Sequence, residues 1–254
     1  MLAHRRSGSG PPLLLLHGIG LSVACWEPVR GILERERDVI AVDLPGFGDS
    51  PPLSGVPSVP ALADAVDALA GELGLDRPHV AGNSLGGGIA LELGSRGRVR
   101  SVCALSPVGF AAGREDAYSR ATLRAIYAMA RTLDPYASTA YGGPVRRTVL
   151  TNLIFSRPWR IPVEDMATGN HATASGPGFL ATLPEISRWR PTEPECPATV
   201  AWGDRDRLLI ASRQAPRAAR ALPRARHVEL RGCGHVPMWD DPEQVARAIL
   251  DAGA

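Results

Sequence analysis

The chain has 254 residues, room for one large domain with an insertion, and its 44% apolar content is ordinary for a protein with a full core. Formal net charge is +2 and every one of the 28 basic residues is arginine, so no charge excess points to nucleic acid or an acidic partner. Cys25, Cys103, Cys196 and Cys233 are too scattered for a disulfide framework, no signal-peptide core opens the chain, and Leu13–Leu16 is too short to cross a membrane. A reduced cytoplasmic protein without a membrane partner is the expectation. The clustered arginines, Arg96, Arg98 and Arg100 and again Arg217, Arg220, Arg224 and Arg226, read as solvated surface.

Strand-like and helix-like stretches alternate along the chain, which predicts a mostly parallel sheet with helices on both faces. Leu13–His17 is a strand, Trp26–Glu36 a helix, and Val39–Val42 a strand ending at Asp43. Val59–Leu73 is a helix, with Leu62, Val66, Leu69 and Leu73 at spacings of three and four. His79–Gly82 is a strand that runs into a helix over Leu85–Leu93, and Val99–Leu105 is another strand. Residues 108–190 break the alternation: helices are expected at Tyr118–Leu133, Val145–Phe155 and Pro162–Ala174, and nine of the thirteen aromatic residues fall here. Such aromatics either glue the segment together or line an apolar chamber. Thr199–Trp202, a helix around Arg213–Ala221, a strand at His227–Leu230 and a helix at Pro242–Asp251 complete the chain, with Asp240 and Asp241 read as the cap of that last helix.

Four motifs carry chemistry. Gly82-x-Ser84-x-Gly86 sits at the strand-to-helix junction with the spacing of a nucleophile elbow, where the turn is strained and its neighbours must be small. His17-Gly18-Ile19-Gly20 follows a buried-type strand, so that the Ile19 N–H can join that of Leu85 as an oxyanion hole. Thr199–Trp202 leads into Gly203-Asp204-Arg205-Asp206, and the last strand into Gly234-His235-Val236-Pro237. A serine hydroxyl needs a base, an imidazole fits that task, and a carboxylate fixes the imidazole tautomer. The remaining histidines lack such a setting; His171 reads as solvated.

The order Ser84, Asp206, His235, together with His17-Gly18, Asp43-Leu44-Pro45-Gly46-Phe47-Gly48 and Gly82-Asn83-Ser84-Leu85-Gly86-Gly87, resembles the α/β-hydrolase superfamily over about residues 2–110 and 190–252. The resemblance implies an α/β-hydrolase fold with about seven strands, a core of residues 1–107 and 191–254, and a helical cap over 108–190. Members usually carry two strands before the one ending in His-Gly; only Leu2–Arg6 is available here, so the first strand is expected to be missing. The family pattern Gly-x-x-Asp selects Asp206 over Asp204, although Ile210 stands where a proline is usual. Asp43 resembles the family's structural aspartate, which pins Pro45–Gly48, and His17 would organise the oxyanion loop.

The function this resemblance implies is that of a serine hydrolase, with Ser84 as nucleophile, His235 as base and Asp206 as acid. It would cleave an ester, lactone or thioester of a mainly apolar small molecule through an acyl-enzyme. No metal or organic cofactor is implied. Two alternatives remain: a carbon–carbon hydrolase of the meta-cleavage-product type, and a non-hydrolytic catalyst or binding protein on the same fold. Some carbon–carbon hydrolases share Asn-Ser-x-Gly-Gly at Asn83, but usually have tryptophan where this chain has Val236. Arg188 or Arg190 could hold a substrate carboxylate, though solvent-facing arginines account for both more simply. Epoxide hydrolases and haloalkane dehalogenases of this fold carry aspartate at the elbow, where this chain has Ser84.

Overall fold

The computed structural model describes residues 1–253. Seven strands form one sheet: β1 (His4–Gly8), β2 (Pro12–Leu16), β3 (Asp38–Val42), β4 (His79–Asn83), β5 (Ser101–Leu105), β6 (Ala198–Gly203) and β7 (Arg226–Leu230). Their order is β1-β3-β2-β4-β5-β6-β7. Only β1 runs antiparallel, against β3, and every other pairing is parallel. A parallel strand is covered on both faces, which is why Leu13–Leu16 is a continuous apolar run with no residue more than 2% exposed.

The chain steps from β2 outward to β3, then returns to the other side of β2 with β4. The carboxyl ends of β2 and β4 therefore lie side by side at the point where the winding reverses. Open α/β sheets bind ligands at such a point, just outside the strand ends. His17-Gly18 follows one of these strands and Ser84 the other.

Helix α1 (Glu27–Leu33) is shorter than the Trp26–Glu36 expected. Val23–Trp26 is a separate 3₁₀ turn, and Pro28 sets the start of the α-helix proper. Ser58 caps α2 (Val59–Glu72) through the Ala61 N–H, and α3 (Leu85–Ser95) follows Ser84. The stretch between β5 and β6 holds α4 (Arg114–Leu133), α5 (Ala137–Ala140), α6 (Pro144–Thr151), α7 (Val163–Ser175) and α8 (Gly178–Ile186). After β6 come α9 (Ala211–Ala221) and, at the end, α10 (Pro242–Asp251). Helices α2, α3 and α9 bury one sheet face, α1 and α10 the other.

Helix α8 is not among the helices expected, and it forms although Gly176-Pro177-Gly178 and Pro184 are helix breakers. The helix starts after Pro177 and runs through Pro184, whose missing donor faces Leu180, itself half exposed. Tertiary contacts compensate: the Gly178 N–H donates to the Gly46 carbonyl at 2.9 Å, and Phe179 stacks on Tyr127 with ring centroids 4.8 Å apart. Of the nine aromatics in this region, Phe110, Tyr141, Phe179 and Trp189 are buried, whereas Tyr118, Tyr136 and Trp159 are exposed.

Candidate active site

Ser84 lies between β4 and α3 at φ 56°, ψ −112°, a conformation L-residues rarely adopt and one that costs on the order of 1–3 kcal/mol. Backbone bonds hold it there: its N–H donates to the Leu105 carbonyl at 2.9 Å, and its carbonyl accepts from Gly88 and Val108 at 3.0 and 3.1 Å. A side chain at Gly82 would run into the Gly86 carbonyl, and one at Gly86 into that of Leu16. The two glycines of the motif are thus required by the tightness of the turn. Leu85 is fully buried and opens α3, where first-turn N–H groups lack intrahelical acceptors.

His235 follows β7 and Asp206 follows β6, both 4% exposed. Their Nδ1–Oδ2 distance is 2.7 Å. The other carboxylate oxygen accepts from the Leu208 and Leu209 N–H groups at 3.0 and 2.9 Å, so the turn itself aims the carboxylate at the ring. A carboxylate only accepts, so Nδ1 carries the proton and Nε2 is left with its lone pair. Asp204 does different work: it accepts from the Gly232 N–H at 2.7 Å and braces the loop that leads to the histidine.

Ser84, His235 and Ile19 border one cavity. Among the described residues no hydrogen bond joins the Ser84 hydroxyl to the imidazole. The Ile19 loop is ordered from beneath by His17. Nε2 of His17 accepts from the Leu44 N–H at 2.9 Å, so Nδ1 bears the proton and donates to the Gly18 carbonyl at 2.8 Å. Burial pushes this histidine below its usual range, in keeping with a neutral ring. Asp43 accepts from Val23 and Asp49 at 2.8 and 3.0 Å and so fixes the neighbouring loop. Thr173 of α7 donates to the Gly20 carbonyl at 2.8 Å, tying the helical stretch to the Ile19 loop.

The cavity opens in two directions. One arm is apolar, bounded by Ile126, Leu150, Phe155, Ile161 and Met166, with a volume of about 90 Å³. Cys25 also borders it, and burial pushes that thiol well above its usual range. The other arm, of about 30 Å³, is walled by Val108, Ser119, Ser187, Arg190, Leu209 and Gln214.

Asp240 corrects an expectation. Asp241 alone caps α10, accepting from the Gln244 N–H at 3.0 Å. Asp240 is buried instead and accepts from Gly234, Ser156 and Arg157 at 2.7, 3.0 and 2.7 Å, clamping the histidine loop to the segment after α6. Burial raises its carboxyl above the usual range even against these three donors. The contact joins residues 84 positions apart, so nothing local announces it. Asn83 is a second residue with more to do than its sequence setting suggests. Its Nδ2 donates to the carbonyls of His235 and Leu105 at 2.9 and 3.2 Å. An asparagine at the end of the wholly buried β4 was the available signal.

Arg188 is solvent-facing and pairs with Glu185 at 2.6 Å, and the exposed His171 lies 3.0 Å from Asp134. Arg190 borders the small arm, but its Nη1 already donates to the carbonyls of Ser187 and Trp189. Among the described residues no group of three His, Cys, Asp or Glu side chains is placed to hold a metal ion. Nor is any helix long and apolar enough to cross a membrane.

A sheet that reverses its winding beside a strained serine, with an Asp-bound histidine arriving from its far strands, defines the class. The model of the alpha/beta hydrolase family matches residues 13–248, and the chain belongs to that family. It is 30% identical over 245 residues to the dihydrolipoyllysine-residue acetyltransferase component of the acetoin cleaving system of Pseudomonas putida. That alignment takes in 95% of this chain but only 63% of the relative, so the chain spans less than two thirds of its length. A pimeloyl-[acyl-carrier protein] methyl ester esterase of Aeromonas hydrophila is 44% identical over 89 residues, 35% of this chain and 34% of that protein. Among solved structures, a membrane phospholipase A described as a bacterial virulence factor aligns with a TM-score of 0.73 at 29% identity, covering 98% of this chain and 82% of its own.

Proposed function

We propose that the protein is a serine hydrolase that cleaves an ester, lactone or thioester of a mainly apolar small molecule. The observation that carries this reading is the 2.7 Å contact between Asp206 and His235 Nδ1, with Ser84 and His235 on the wall of one cavity. Ser84 Oγ attacks the carbonyl carbon while His235 Nε2 takes its proton, and Asp206 stabilises the imidazolium. The N–H groups of Ile19 and Leu85 receive the developing oxyanion, where losing one donor typically costs roughly a hundredfold or more in rate. The imidazolium returns its proton to the leaving group. Water, deprotonated by the same Nε2, then attacks the acyl carbon, and the imidazolium returns that proton to Ser84 Oγ as the acid leaves.

In this reading residues 108–190 form a cap over the core of 1–107 and 191–254, and the cap's apolar arm takes the bulk of the substrate. The ester-cleaving activities that the esterase and phospholipase relatives are named for are consistent with it.

The test is labelling by a fluorophosphonate probe, alongside hydrolysis of p-nitrophenyl esters from acetate to decanoate. Wild-type protein should be labelled and active, and Ser84→Ala neither. Labelling that persisted in Ser84→Ala would remove the assignment.

A further inference from the structure

We propose that Gln214 is the recognition residue of a polar subsite in the small arm of the cavity, selecting substrates that carry a neutral donor-and-acceptor group, a hydroxyl or a carboxamide. The proposal rests on the serine-hydrolase reading of the same cavity and extends it from reaction to substrate class.

Gln214 sits one turn into α9, is 0% exposed, and is one of the residues that line the arm together with Ser84. Its backbone is satisfied, the N–H donating to the Ile210 carbonyl at 3.0 Å. Its side chain is not: among the described residues neither Oε1 nor Nε2 has a hydrogen-bond partner. A buried amide left unpaired on both atoms is destabilising, and a folded protein retains one where something else supplies the partners. Among the other polar groups of the arm, Ser119 Oγ donates to the Glu115 carbonyl at 2.9 Å, Ser187 Oγ to Asp116, and Arg190 Nη1 to two carbonyls. Arg120 lies 3.3 Å from Asp116, with its Nε lacking a hydrogen-bond partner among the described residues. Gln214 is the neutral side chain of this wall with no partner on either polar atom among those residues.

The chemistry of the amide narrows the ligand. It offers donors on one atom and an acceptor on the other. A carboxylate only accepts and would leave Oε1 unpaired. An ammonium only donates and would leave Nε2 unpaired. A hydroxyl or a carboxamide satisfies both atoms and brings no charge into a buried site. The volumes set the arrangement: about 90 Å³ in the apolar arm against about 30 Å³ here, so the polar group sits on a short extension from the scissile bond and the hydrocarbon bulk lies on the other side.

The experiment uses two series of esters in matched pairs, each pair differing only in a terminal hydroxyl for a methyl. One series carries it on the acyl side and the other on the alcohol side, with the tether lengthened one methylene at a time. In wild-type protein the hydroxyl member should be favoured in kcat/KM by about tenfold or more in at least one series, since sites built around a hydrogen bond reject analogues lacking it strongly. In Gln214→Leu that ratio should fall to about one or below, and Tm should hold or rise, because the substitution removes an unpaired amide rather than a bond. Gln214→Met, similar in volume and flexible, serves as the second variant and should behave alike. Equal hydroxyl-to-methyl ratios in wild type and variant would overturn the proposal, as would a Tm loss of several degrees in both variants, the mark of an internal partner. Binding of the same pairs to Ser84→Ala by calorimetry separates the two readings. If esters are not turned over and the fluorophosphonate does not label, the serine-hydrolase reading fails, and the calorimetric preference with its loss in Gln214→Leu still decides the subsite.

Discussion

Asp204 and Asp206 stand two residues apart in one turn, and replacing each by asparagine removes one charge, so the pair isolates the contribution of geometry. In Asp206→Asn the amide oxygen can take the place of Oδ1 and keep the Leu208 and Leu209 N–H bonds, so the turn should hold its shape. The amide nitrogen then occupies the place of Oδ2, 2.7 Å from the ring, and presents a donor where Nδ1 now donates. The ring must move its proton to Nε2, the atom that has to accept from Ser84. A wrong tautomer of this kind lowers turnover by up to ~10⁴-fold, about 5 kcal/mol of barrier. Asp204→Asn keeps an acceptor for the Gly232 N–H and changes only the strength of that bond, by about 1 kcal/mol, so kcat should stay within roughly tenfold of wild type. The assay is kcat and kcat/KM on p-nitrophenyl butyrate, with thermal melts to show that both variants fold. Asp206→Asn retaining a tenth or more of wild-type kcat, or Asp204→Asn being the inactive one, would refute the reasoning.

Asn83→Ala should lower kcat about tenfold and stability by about 1–3 kcal/mol, because the buried His235 carbonyl loses the side-chain donor that Asn83 supplies, while the Leu105 carbonyl keeps the Ser84 N–H; steady-state kinetics and chemical denaturation measure the two effects. Ile126→Trp should spare acetate esters and depress hexanoate and longer ones, since Ile126 borders both the Ser84 cavity and the apolar arm and stands between them; the ester series reads this directly. Glu115 forms a two-pronged pair with Arg217, both contacts 2.6 Å, and that pairing holds its carboxyl below the usual range. A lowered carboxyl contributes stability above its unfolded value and loses it as pH falls, so wild type should exceed Glu115→Gln by about 1–2 kcal/mol at pH 7, with the gap closing below pH 4.5; denaturation at a series of pH values tests it.

The sheet was readable because parallel strands advertise themselves: Leu13–Leu16 and the runs at β4 and β5 have no polar face to confuse with a helix. The candidate site residues stood out in the sequence because the proposed chemistry constrains both type and spacing; Gly82 and Gly86 are forced by the carbonyls a side chain would strike. What escaped depends on contacts between distant parts of the chain. Helix α8 contradicts its own prolines and forms because Gly46 and Tyr127 receive it. Asp240 resembled a capping residue until the segment after α6 arrived to use its oxygens. Gln214 looked like any polar residue of an arginine-rich helix, and only burial singles it out.

These long-range contacts converge on one small loop. The His235 N–H donates to the Ile154 carbonyl at 2.7 Å, in the helical stretch between β5 and β6, while its carbonyl accepts from Asn83 at the end of β4. The Val236 N–H shares the Ile154 carbonyl at 3.2 Å, and Asp240 binds Gly234 on one side and Ser156 and Arg157 on the other. The loop that carries the imidazole is thus held from the sheet side by Asn83 and the turn after β6, and from the other side by the helical stretch. Any displacement of residues 154–157 draws on the same hydrogen bonds that hold the imidazole loop. Ile154 and Phe155 also wall the apolar arm, so the arm and the loop share this connection. The dimensions of the arm and the placement of the base are therefore parts of a single mechanical unit, and substitutions at Ile154 should alter kcat as well as the preferred chain length.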